Sequence, residues 1–360
     1  MASVKFENAS RTYSGKGTPS VDKLNLDIGD GEFFVLAGPA GCGKSTSLRM
    51  LAGLEEVNGG DIWIGHRKVT NLPPRERDVA MVFQNYALYP HMSVADNMGF
   101  ALRVGGIHQS EIAQRIANAA KILDLEDYLE HKPRSLSAGQ RHRVAMGRAI
   151  VHQPQVLLMD EPLSDQEPKL RVQTRNQIAS LHRRLGITTV YVTHNSAEAM
   201  TMGERVAVLR DGVLQQCDTP RRMYDHPDNV FVAGFIGSPA MNFLDVRVVE
   251  GGVLLGSGTQ PISRDLLARA GKEVTLGVRP QDLTITADEQ GLPITVGAVE
   301  RVGTDAYVHG STMPGHGDLR QIIACLDGHV PPKKGAVVHL CPKAEKVHLF
   351  DARNGLRIGG

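Results

Sequence analysis

The stretch "GPAGCGKST", Gly38 to Thr46, follows the apolar run "FFVLA" and leads into "SLRMLAGL". It fits the pattern G-x-x-x-x-G-K-[ST], with Gly38, Gly43, Lys44 and Ser45 on the fixed positions. Glycines let the backbone curl until successive N–H groups face inward as an anion nest. A helix that starts there adds the positive end of its dipole. Gly41, Cys42 and Thr46 complete this phosphate-binding set. The pattern assigns Lys44 to the β- and γ-phosphates of a nucleotide and the Ser45 hydroxyl to Mg²⁺. A second chemical element, "VLLMDE", ends an apolar run on Asp160 and Glu161. Asp160 suits Mg²⁺ coordination, and Glu161 suits polarising an attacking water. An acidic pair after a strand is also at home in a plain solvated turn; the phosphate loop upstream favours the chemical reading.

These residues need a scaffold that brings strand ends together. The first third of the chain reads as short strands: "VKFENA", "LNLDI", "EFFVLA", "GGDIWIG" and "RDVAMVFQ". From about Met92 to Lys132 the pattern turns helical, with Ile112, Ile116, Ala119, Ala120 and Leu123 forming one apolar stripe. A helix over roughly Ala138 to His152 precedes "VLLMD", a continuous apolar run of the kind buried in parallel sheets. Another helix covers about Lys169 to Leu185, before the buried strand "ITTVYVTH". Alternating strands and helices predict an α/β core around a parallel sheet, with the helical block inserted. Ligands gather at the C-terminal edge of such a sheet, where "VLLMD" and "VYVTH" both place their polar residues. After "VFVAGFIGSPAMNFL", short β-rich runs such as "EVTLGVRP", "PITVGAVERV" and "KVHLF" alternate with turn residues. They predict a small all-β domain of barrel type behind a linker near Gly237 to Ala240.

Composition excludes several classes. The 360 residues are 41% hydrophobic and 22% charged, as in a soluble protein of two or three domains. No apolar run approaches the roughly 18 residues of a membrane span, and "MASVKFENAS" lacks the core of a secretory signal. Cysteines at 42, 217, 325 and 341 have no zinc or disulfide spacing. A net charge of +1 argues against a nucleic-acid surface, and the basic "LHRRLG" reads as a solvated helix face.

Three further stretches sharpen the picture: "LSAGQRHRVAMGRAI" from Leu136, "VYVTHNSAEAM" with His194 at its strand end, and "VFQ" ending on Gln84. They resemble the signature, switch histidine and Q-loop of ABC-transporter ATPases, in the family's order. "VFQNYALYPHMSVADNMGFAL", "GFIGSPAMNFL" and "LGVRPQDL" are similar to the carbohydrate importers of the maltose and glycerol-3-phosphate type. That resemblance implies a P-loop ABC ATPase core over residues 1–236, with its helical subdomain at about 88–152. It also implies a regulatory domain of OB-like barrels over residues 237–360. It assigns Tyr13 to stacking on adenine. Glu161, His194 and Gln84 become the catalytic set, with Gln84 also beside the metal. Ser137, Gly139 and Gln140 would hold the γ-phosphate of ATP bound to a second ATPase subunit, paired head to tail. The implied assembly is an ATPase pair at the cytoplasmic face of the membrane, under two transmembrane permease subunits and an extracytoplasmic solute-binding protein, with no nucleic acid.

The chain departs from the family pattern in places. Ala138 stands for a usual glycine and Ala40 for a serine. "EPLSDQEPKLR" replaces "EPLSNLDAKLR", so Gln166 takes a leucine position and Glu167 the position of the D-loop aspartate. Pro168 disfavours helical geometry at Glu167. These changes leave open an alternative, an ATP-binding regulatory protein with weak hydrolysis. An ABC protein acting on ribosomes or DNA is a further class, but one cassette, no heptads and balanced charge speak against it.

Overall fold

Five-residue stretches with no polar side chain before their last position make poor surface and good sheet interior. In the computed structural model, β3 (Phe33–Ala37) and β7 (Val156–Asp160) are buried at every position, as is β8 (Thr188–Thr193). The structure describes residues 1–15, 17–83, 87–164, 166–287, 290–312 and 320–359. They divide into two compact units, Met1–Pro220 and Arg221–Gly360.

The first unit holds two sheets. β1 (Val4–Arg11), β2 (Val21–Ile28), β4 (Gly59–Ile64) and β5 (Arg67–Lys68) form an antiparallel sheet in the order β2-β1-β4-β5. The second sheet runs β10-β9-β3-β8-β7-β6, where β6 is Val79–Val82, β9 is Arg205–Arg210 and β10 is Val213–Asp218. Its central pairings are parallel; only the edge hairpin of β9 and β10 is antiparallel. That hairpin is absent from the sequence reading, although Asp211-Gly212 between the apolar runs "VAVL" and "VL" is a hairpin signal. Apolar side chains from both sheets, among them Phe6, Ile62, Leu36 and Leu158, meet in one buried cluster with α1 (Lys44–Ala52).

The helical block is α2 (Val94–Val104), α3 (Gln109–Leu123) and α4 (Ala138–Ile150). All five stripe residues of α3 are buried. α5 (Pro168–Leu185) and α6 (Ser196–Met202) flank β8 in sequence. Pro168 occupies the first helical position, and Glu167 before it is extended (φ −59°, ψ 148°), as a residue before proline prefers. Arg183 and Arg184 of the basic cluster are exposed.

In the second unit, short helices α7 (Pro220–Asp225) and α8 (Val230–Phe235) precede two five-stranded antiparallel sheets. One contains β11 (Asn242–Val249), β12 (Gly252–Leu255), β13 (Gly258–Pro261), β14 (Glu273–Val278) and β20 (Val347–Asp351). The other contains β15 (Leu283–Thr286), β16 (Leu292–Val302), β17 (Asp305–Thr312), β18 (Gln321–Asp327) and β19 (Val337–Pro342). Leu276, Ile294, Ile322 and Leu340 are buried in their shared core. Residue 236, where the sequence reading ends the first domain, lies inside this unit. Buried Arg279 donates to the carbonyls of Ile236 and Tyr224, 2.7 Å each, and its guanidinium lies 3.5 Å over the Tyr224 ring.

Candidate functional site

The phosphate loop connects β3 to α1. Gly38 (φ +149°) and Gly43 (φ +103°) sit where no other residue fits. A Cβ on either would stand 2.4 Å from a backbone oxygen, of Leu209 and Ser20 respectively. A Cβ on Gly41 would meet nothing within 4 Å, so the loop is walled on its protein side and open at its crest. Cys42 is buried, and burial raises its thiol pKa although Lys44 opposes the shift. Its sulfur lies 3.9 Å from the Lys44 ammonium.

Lys44 is only 3% exposed. Its Nζ donates to the Pro39 carbonyl at 2.7 Å and stands 3.7 Å from Glu161 Oε1. A buried ammonium is costly unless paired, so Lys44 is held at the loop by one carbonyl and one carboxylate. Next to it, the Ser45 hydroxyl donates to Asp160 Oδ1 at 2.7 Å, and Arg49 Nη2 lies 3.8 Å from the other Asp160 oxygen. Thr46 is the third residue of α1 and half-buried.

β7 and β8 are adjacent and parallel, so their C-terminal ends deliver Asp160, Glu161 and His194 to one edge. Glu161 has φ +46°, an uncommon left-handed conformation, and its N–H donates to Val192 O at 3.1 Å. Strain of this kind persists where surrounding structure over-determines it. His194 Nδ1 lies 2.8 Å from Glu161 Oε2. The structure therefore brings together Gly38, Gly41, Cys42, Gly43, Lys44, Ser45, Thr46, Asp160, Glu161 and His194.

Other expected residues stand elsewhere. Ser137 caps α4 in a reciprocal box: its hydroxyl accepts from Gln140 N at 3.3 Å, and Gln140 Oε1 accepts from Ser137 N at 2.8 Å. Among the described residues, no hydrogen bond or ion pair joins Ser137, Gly139 or Gln140 to the phosphate loop. A Cβ at Gly139 would meet only Leu170, at 3.6 Å. Tyr13 follows β1, with the Arg11 guanidinium 4.7 Å over its ring. Gln84 lies outside the described residues.

Residues 21–164 match the ABC transporter family, 237–283 the MalK OB fold domain and 276–350 the TOBE domain. The diacetylchitobiose uptake system ATP-binding protein MsiK of Streptomyces coelicolor is 56% identical across 99% of this chain and 100% of that protein. The sn-glycerol-3-phosphate import ATP-binding protein UgpC of Yersinia pseudotuberculosis is 48% identical, over 99% of each. The chain belongs to the ATP-binding subunits of ABC importers of the carbohydrate type. A dimeric ATP-binding cassette in a post-hydrolysis state with ADP and Pi superposes with TM-score 0.53 at 31% identity, covering 60% of this chain and 98% of its own. The cbiO1 subunit of a Clostridium perfringens ABC complex gives 0.58 at 25% identity, over 62% and 90%.

This importer ATPase thus has the family's α/β core followed by β-rich OB and TOBE domains, as the sequence implied. The sequence reading missed the support behind the site. Glu198, 5% exposed, accepts from Tyr191 OH at 2.9 Å and Thr193 Oγ1 at 2.6 Å. Burial and this neighbouring carboxylate push the Tyr191 hydroxyl well above its ordinary pKa. The available signal was the N-x-x-E spacing of Asn195 and Glu198 at a helix start. Asn195 does cap α6, accepting from Ala197 N and Glu198 N. A cavity of about 690 Å³ also opens between β6, α2 and α4, lined by Met81, Phe83, Tyr89, Phe100, Arg148 and His152 among others.

Proposed function

We propose that ATP is bound along the phosphate loop and cleaved by water activated at Glu161. The single observation carrying this reading is the convergence of Lys44, Glu161 and His194 within hydrogen-bond or ion-pair reach. Lys44 meets the β- and γ-phosphates, and Glu161 accepts a proton from the attacking water. His194 holds both the carboxylate and the γ-phosphate side of that water, with Gln84 beside the metal. Tyr13 stacks on the adenine, exchanging its contact with Arg11 for the base. Ser45 and Asp160 fit Mg²⁺, because a hydroxyl and a carboxylate 2.7 Å apart supply hard oxygens at the loop. When bound there, Mg²⁺ neutralises phosphate charge.

Two copies pair head to tail, so that Ser137, Gly139 and Gln140 of one face the ATP held by the other. The capped N-terminus of α4 supports this role, since Gly139 leaves it uncrowded. The pair works at the cytoplasmic membrane face under two permease subunits. The 690 Å³ cavity takes a short apolar helix of a permease, and a solute-binding protein acts through that permease. The relatives' names point to an oligosaccharide or sn-glycerol-3-phosphate as the solute. The nucleotide-binding domain is read as residues 1–236 and the regulatory domain as 237–360.

The test is Mg-ATP hydrolysis by the purified chain, alone and after affinity capture with its permeases. Turnover that rises when permeases are present supports the reading. ATP binding without turnover in either form favours the regulatory alternative. In that case the change Gln166→Leu with Glu167→Asp should restore turnover.

A further inference from the structure

Glu161 follows the end of β7 and His194 the end of β8, so their separation depends on how those two strand ends are held. The segment after Glu161 turns at once: Ser164 N and Oγ both donate to the Glu161 carbonyl, at 3.2 and 3.0 Å. Arg171, one turn into α5, donates through Nη2 to Ser164 O and Gln166 O, 3.2 Å each. The same guanidinium turns its Nε toward Glu198 Oε1, 4.0 Å away. The other Glu198 oxygen takes the hydroxyls of Tyr191 and Thr193. Thr193 Oγ1 then accepts from Asn195 N at 3.0 Å, so the residues either side of His194 are tied to Glu198.

We propose that Arg171 and Glu198 are positioning residues that set the Glu161–His194 geometry, joining the D-loop segment to the strand end that carries the histidine. This rests on the ATPase reading above. Neither residue touches the phosphate loop or its lysine among the described contacts. Their effect is exerted through Ser164 on one side and Thr193 on the other. A buried carboxylate held by two hydroxyls and faced by a guanidinium has few alternative arrangements, because losing any partner strands a charge. The pair therefore couples Ser164 and Gln166 to the residues either side of His194. A shift of about 1 Å in such a constellation lowers rate by roughly 100-fold.

The experiment uses the full chain carrying Arg171→Lys, Arg171→Leu or Glu198→Gln. Turnover is measured as kcat and KM separately, and ATP affinity with a fluorescent ATP analogue. The His194 ring signal is read by NMR of isotope-labelled histidine, assigned by its loss in His194→Gln. Arg171→Leu should lower kcat by roughly 10- to 100-fold, with KM and analogue affinity within about twofold. It should also shift the His194 signal in the nucleotide-free chain. Glu198→Gln keeps shape and both hydroxyl partners, so it separates loss of charge from loss of folding. Arg171→Lys, able to reach one carbonyl, should recover part of kcat. A chain whose kcat per folded molecule and His194 signal are both unchanged overturns the proposal. If the natural chain shows no turnover but its His194 signal still answers to Arg171→Leu, the link stands and the ATPase reading falls.

Discussion

Glu161 Oε2 lies 2.8 Å from His194 Nδ1, while its other oxygen stands 3.7 Å from Lys44 Nζ. One carboxylate thus bridges the end of β8 and the start of α1. Replacing it with an amide keeps the shape and removes the base. Glu161→Gln should lower turnover by roughly 10²- to 10⁴-fold. ATP affinity should stay within a few-fold, and an ATP-dependent dimer should persist in size-exclusion chromatography. Equal turnover in the two proteins would transfer the role of base to another group.

Asp160 accepts from the Ser45 hydroxyl at 2.7 Å on one oxygen, and Arg49 Nη2 lies 3.8 Å from the other. Under the proposed metal reading, Ser45→Ala or Asp160→Asn should raise the Mg²⁺ concentration for half-maximal turnover by roughly 10- to 100-fold. Chelation with EDTA should abolish turnover in the natural chain. A magnesium titration curve that coincides with the natural one in both variants would place the metal elsewhere.

The loop glycines differ in a way that affinity measurements can read. Gly43→Ala meets both a positive φ and Ser20 O at 2.4 Å, whereas Gly41→Ala meets only a positive φ of +79°. The first should destabilise by roughly 1–3 kcal/mol or reshape the loop, with ATP affinity falling by more than tenfold. The second should cost about 1 kcal/mol and spare most of the affinity. Thermal unfolding alongside nucleotide titration checks both. Identical losses at the two positions would mean that backbone strain, rather than the Ser20 wall, decides the loop.

Much of the site was legible because its physics is local. A glycine-rich turn must follow a strand and open a helix, and a parallel strand buried on both faces leaves an uninterrupted apolar word such as "VLLMD". The Ser137–Gln140 capping box is equally local, but its S-x-x-Q spacing was read only as part of the signature. What depends on tertiary pairing was not legible. Nothing in "EPKLR" or "NSAEAM" says that Arg171 meets Glu198, because that meeting depends on how α5 and α6 lie beside the sheet. The short helices α8 (Val230–Phe235) and α9 (Arg264–Arg269) escaped for another reason. Six residues are too few for a 3.6-residue period to stand out. The β9–β10 hairpin carried a readable Asp-Gly signal that the strand count passed over.

His142 gives the first unit a pH dependence whose sign can be worked out. It lies in α4 with no exposed surface, and burial lowers its pKa from 6.5 to about 4. Between those values the unfolded chain binds a proton that the folded one refuses, so stability rises with pH. The contribution is complete above about pH 6.5 and is lost as acid approaches pH 4. From pH 8 to pH 5 this one group should remove about 2 kcal/mol. Trp63 is the sole tryptophan and belongs to β4 of the same unit, so its fluorescence in urea reports the right transition. His348, lowered to about 4 chiefly by burial and then by Arg357, acts in the same direction on the second unit. It is only partly buried, so its share is smaller. His142→Gln should flatten the Trp63-detected loss between pH 8 and pH 5, whatever its effect on absolute stability. A slope unchanged by that substitution would mean that His142 takes up its proton in the folded chain as readily as in the unfolded one.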